Sequence, residues 1–156
     1  MSQFPDTSRI RQAQTGVMLL EALIAILIFS LGILSLVALQ ATSIQLASDA
    51  RYRTDASLLA NKLLGQMWAS ASTPATLRAN FSSPDGAAYR SWRDHDVRAS
   101  DALPGVAAAA GGGVSTLPEV TVDATGQVAI TRFWRTPQMN PNERHRHVVT
   151  SQIVQN

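Results

Sequence analysis

From Val17 to Leu39 the chain carries one charged residue, Glu21, in a run of Val, Met, Leu, Ile and Phe spaced by Ala, Ser and Gly. As a helix rising about 1.5 Å per residue, such a run covers about 35 Å, enough to cross the hydrocarbon core of a bilayer. Apolar residues go all the way round it. A helix of that kind is surrounded on every side by lipid or by protein. A cleaved secretory signal fits poorly, because its apolar core is about 7–15 residues long and leads into a small-residue cleavage site. Here the core is longer, contains an acid, and runs into Gln40-Ala41-Thr42. A plain membrane anchor accounts for the hydrophobicity, but not for the placement of Glu21.

An ionised carboxylate at membrane depth is costly, so an intramembrane acid implies a function and a partner. Glu21 lies four residues after Val17, which follows Gly16 and the polar, slightly basic stretch MSQFPDTSRIRQAQT. Gly16-Val17-Met18-Leu19-Leu20-Glu21 resembles the class III signal of type IV pilins and related pseudopilins. The resemblance implies that a membrane prepilin peptidase cuts between Gly16 and Val17 and methylates the new amine of Val17. Glu21 then becomes the fifth mature residue and pairs with the Val17 amine of a neighbouring subunit. It also implies an inner-membrane precursor with the C-terminal head outside, later drawn into a filament with other minor and major pilins and a tip adhesin. Two features depart from the family. Val17 stands where Phe or Met is usual, and Ala38 stands where many major pilins carry a kinking Pro. Gly32, with Ser30 and Ser35, is then the one candidate weak spot in the span.

The chain has 156 residues, room for one modest domain beside a membrane helix. Without Asp6, Arg9 and Arg11, its 13 basic and 11 acidic residues become 11 and 10. Near-neutral charge gives no electrostatic case for nucleic acid as a partner. Arg9 and Arg11 before the span are balanced by Arg51 and Arg53 after it, so charge does not orient the helix. The chain has no cysteine, so the head must hold by packing alone.

No Pro or Gly occurs between Gly32 and Gly65, so the helix is expected to run from residue 17 to about 71, with 17–39 as the span. Residues 1–16 are expected to be an unstructured leader. Tyr52, Ala56, Leu59, Leu63 and Met67, with Ala60 and Leu64, form one stripe at helical spacing. Residues 70–84 read as linker, punctuated by Pro74 and Pro84. Asn80-Phe81-Ser82 matches a glycosylation sequon too short to weigh. A short helix is expected over about 85–102, with Ser83 before Pro84 at its first turn and Tyr89 and Trp92 on one side. Residues 106–115 read as a flexible connection, and its glycines lack the context of a phosphate loop.

Three strands follow, over 116–122, 127–135 and 147–154, with a turn at Asp123–Gly126 and a polar loop over 136–146. Val128, Ile130 and Trp134 share a face. The expected class is α+β and pilin-like: a long N-terminal helix packed against a small antiparallel sheet, with 72–156 as globular head. The order of Leu103-Pro104-Gly105, the hairpin ending in Phe133-Trp134 and a late His-Val-Val-Thr strand resembles the heads of PilV-type minor pilins.

Glu143, His145 and His147 have a spacing that a metal would use, but Arg144 and Arg146 between them oppose a divalent cation. Asp94, Asp96 and Asp101 read as solvated surface, and Trp68, Trp92 and Trp134 as core. No nucleophile, acid–base pair or cofactor loop stands out, so neither an enzyme nor a cofactor is expected. The resemblance implies a minor pilin of a type IV pilus. Three alternatives stay open: a minor pseudopilin of a type II secretion system, a DNA-uptake pilin, and a membrane-anchored enzyme or sensor. Arg78, Arg90, Arg93 and Arg98, interrupted by Asp94 and Asp96, make a poor nucleic-acid patch.

Overall fold

The computed structural model describes residues 11–70, 73–100, 102–109 and 113–153, with 11–15 as backbone alone. The first ten residues of the expected leader, Asp101 and Val154 lie outside them. Helix α1 spans Arg11–Ala69. The described part of the leader is therefore helical, where no structure was expected. Gln12, Ala13 and Gln14 are good helix formers, and one glycine at Gly16 costs a helix only about 1 kcal/mol. Gly32 does not interrupt it either. Ser30 Oγ donates to Ile26 O at 2.7 Å and Ser35 Oγ to Leu31 O at 2.9 Å, so each hydroxyl is satisfied within the helix.

The chain divides after Ala47 into two units. In the first, the residues from Gly16 to Ala47 are exposed. In the second, α1 turns one stripe inward: Ala56, Ala60, Leu63, Leu64 and Met67 are buried. Trp68, expected in the core, is 48% exposed. It falls one step of about 100° past Met67 and so leaves the stripe.

The expected linker contains a helix, α2, over Pro74–Phe81. Thr73 caps it, its Oγ1 accepting from Thr76 N at 3.4 Å, and Pro74 occupies the first turn, where a missing N–H costs nothing. The start signal assigned to Ser83-Pro84 thus belongs ten residues earlier, at Thr73-Pro74, where a hydroxyl cap is followed by the buried Leu77 and Phe81. Instead of one helix over 85–102, α3 spans Ala87–Trp92 and continues as π-helix over Arg93–Arg98. Tyr89, Trp92 and Val97 are its buried side chains.

Strands β1 (Glu119–Val122), β2 (Gln127–Trp134) and β3 (His145–Gln152) form an antiparallel sheet in the order β1-β2-β3. The β1–β2 turn is built by Asp123, whose Oδ1 accepts from Thr125 N and Gln127 N, each at 2.8 Å. Gly126 closes it at φ +84°, a left-handed conformation that favours glycine. β3 begins two residues earlier than expected, because His145 and Arg146 pair with Trp134 and Phe133. The main core joins Leu63, Met67, Leu77, Phe81, Tyr89 and Trp92 to the inner faces of β1 and β2.

Candidate functional site

Gly16, Val17 and Glu21 all lie in α1, in its apolar part. That part is long and apolar enough to cross a membrane. A Cβ on Gly16 would meet nothing within 4 Å, so this chain's own packing does not require glycine there. Val17 is 64% exposed. Val17, Leu20, Glu21, Ile24, Ala25 and Ile28 line one shallow depression, a stripe along a single helix face. Glu21 is the acid in that stripe and is exposed. Among the described residues it has neither an ion-pair nor a hydrogen-bond partner. The spacing of 17, 20, 21, 24 and 28 follows from 3.6 residues per turn, so Val17 and Glu21 lie one turn apart on the same side.

The head places its charged groups in different settings. Arg93 Nε and Nη2 donate to the two oxygens of Asp94, at 2.8 and 2.7 Å, and Arg98 Nη1 joins from the next turn at 3.4 Å. The guanidinium of Arg93 holds the Asp94 carboxyl down at about 2, with Arg98 assisting. Lys62 Nζ donates to Asp96 Oδ1 at 2.6 Å. The arginines read as an interrupted patch are thus largely tied to acids or backbone, Arg78 Nε donating to Val122 O at 2.9 Å.

The histidines do not converge. His147 Nε2 lies 3.0 Å from Ser57 Oγ, and His145 stacks on Trp134 with ring centroids 5.3 Å apart. Glu143 Oε2 turns to Asn140 N, at 3.3 Å. Among the described residues no three metal-ligating side chains cluster.

Arg132 is the residue that sequence reasoning passed over. It is fully buried between Ile130 and Trp134, its guanidinium carbon 4.8 Å from the centre of the Trp92 ring. None of its side-chain nitrogens has a hydrogen-bond partner among the described residues. Burial pushes its pKa down to about 10. The signal was present in the strand period: if Ile130 and Trp134 face inward, so does the residue midway between them.

No known family, curated protein or solved structure matches this chain.

Proposed function

We propose that this chain is a minor pilin of PilV type. It is made as an inner-membrane precursor, trimmed between Gly16 and Val17, methylated at Val17, and drawn into a type IV pilus with other pilins and a tip adhesin. The observation that carries the reading is Glu21. It is the single acid in an apolar, all-round exposed helix segment, one turn from the residue that trimming would make the N-terminus. Its own chain offers it no partner among the described residues.

A carboxylate at membrane depth needs a cation, and low dielectric strengthens such a pair. The Val17 amine of a neighbouring subunit meets that need. The stripe from Val17 to Ile28 gives the neighbour's apolar helix a surface to replace lipid. Gly16 supports the same reading, since no contact among the described residues explains it and a peptidase that must reach the 16–17 bond does. The reading is not enzymatic: the head serves as a filament module, facing the periplasm before assembly.

The test is Glu21→Ala in cells that make the filament. Membrane insertion and trimming should match the native chain, while the amount recovered in sheared filaments falls at least about tenfold, as expected for an unmatched charge pair in lipid. Native-level incorporation of Glu21→Ala would remove the charge-pairing account.

A further inference from the structure

The two edges of the sheet differ. β1 is sealed: Ser83 N donates to Val120 O at 3.0 Å, and Ser83 Oγ accepts from Val120 N at 3.1 Å. Arg78 covers Val122 O in the same way. On the other edge, the backbone of residues 145–152 is paired with β2 alone among the described residues. Its register is unbroken from Trp134↔His145 to Gln127↔Gln152, with no bulge and no proline. An edge of that length, unpaired and regular, is a template for another extended chain.

The helix beside that edge supplies a second observation. The contact between Ser57 and His147 fixes which side of α1 adjoins β3. At about 100° per residue, the positions next in angle beyond Ser57, away from the buried stripe, are Trp68, Asn61, Thr54, Gly65 and Leu58. Trp68 is 48% and Leu58 62% exposed. A Cβ on Gly65 would meet nothing within 4 Å. Two exposed apolar side chains, Trp68 and Leu58, therefore flank the open edge, and the inward side chains of β3 are only half-buried beside it.

Charge indicates what covers it. Arg146 on β3 and Arg53 on α1 are exposed and form no ion pair among the described residues. A second copy of β3 would bring the same cations, and no acidic residue occurs between Arg144 and Asn156. We propose that the open edge of β3 is a docking site for an extended acidic–apolar segment of a different protein. That segment adds as a fourth strand, lays its apolar side chains on Trp68 and Leu58, and turns its carboxylates towards Arg146. Main-chain hydrogen bonds supply affinity, and alternate side chains supply selectivity. The inference does not depend on filament membership.

The experiment uses the full chain in detergent micelles and a peptide of about nine residues alternating valine with glutamate, long enough to match one strand. Three outcomes are expected together. Amide exchange along β3 slows saturably. Tryptophan emission shifts to the blue, and Trp68→Phe removes the shift, since Trp92 and Trp134 are already buried. The same peptide with alternate backbone nitrogens methylated does not bind, and one alternating valine with lysine binds at least about tenfold more weakly, as charge complementarity requires. Arg146→Glu should reverse the order of the two charged peptides. Unchanged β3 exchange at saturating peptide overturns the proposal, as does equal binding of the methylated peptide. Self-association of the chain that protects β3 without peptide would make a second copy the occupant and would also overturn it.

Discussion

Leu27 and Leu63 belong to the same helix, yet the first is 56% exposed and the second fully buried. The two regions differ in what completes them. From Val17 to Leu39, α1 is apolar on every side apart from Glu21, and its side chains are exposed among the described residues, so the fold supplies no packing partner for them there. After Ser48, the helix keeps polar residues on one side and packs the other on α2, α3 and the sheet. One helix thus holds a segment that the fold completes and a segment that the fold leaves to its surroundings. Gly16, Val17 and Glu21, to which the proposal assigns the function, are in the latter.

The sharpest way to break this comparison is to truncate one leucine from each region. Leu63→Ala should lower the stability of the head by about 2–5 kcal/mol, the usual cost of a cavity at a fully buried site. Leu27→Ala should leave the head's melting unchanged in detergent. A large loss from Leu27→Ala would mean that the two regions are not independent.

Arg132 tests the head from the other direction. Its guanidinium is buried against an aromatic face with no acid partner among the described residues, and removing an unmatched buried cation can stabilise. Arg132→Met should raise the head's unfolding free energy by about 1 kcal/mol, because apolar burial of similar volume replaces a desolvated charge. A loss of stability would show that the contact with Trp92 outweighs desolvation.

The smallest effect concerns pH. Asp94 has its folded pKa held down to about 2, below its ordinary 3.8, by Arg93 and then Arg98. A carboxyl depressed in the folded state contributes stability above its unfolded pKa and loses it as pH falls through the folded one. The melting temperatures of the native chain and of Asp94→Asn should therefore differ near neutrality. They should converge as pH falls from about 4 to about 2, because the native chain alone loses this contribution. Parallel curves would show that the Arg93–Asp94–Arg98 group contributes nothing to folding.

Much of this division was legible in the sequence, because it rests on period. Uninterrupted hydrophobicity marked the exposed segment, and the spacing of Ala56, Ala60, Leu63 and Met67 marked the buried stripe. Alternation at Val128, Ile130 and Trp134 marked the central strand. The errors came where local signals competed. Pro74 looked like a linker breaker, although after Thr73 it is a helix start. Trp68 looked like core by residue type, although its angle on the helix turns it out. Arg132 was passed over, although its place midway between Ile130 and Trp134 in the strand turns it in. The site residues were visible for a different reason: one glycine and one acid stand out against an apolar run. On the proposed reading the partner of Glu21 belongs to another chain, so neither this sequence nor this fold would contain it.

The most direct measurement is the N-terminal sequence and intact mass of the protein purified from inner membranes, with and without the prepilin peptidase. The account predicts a chain that begins at N-methylated Val17 when the peptidase is present and at Met1 when it is absent. A chain that begins at Met1 in both would contradict it, leaving a membrane-anchored head whose Glu21 has no neighbouring amine to meet.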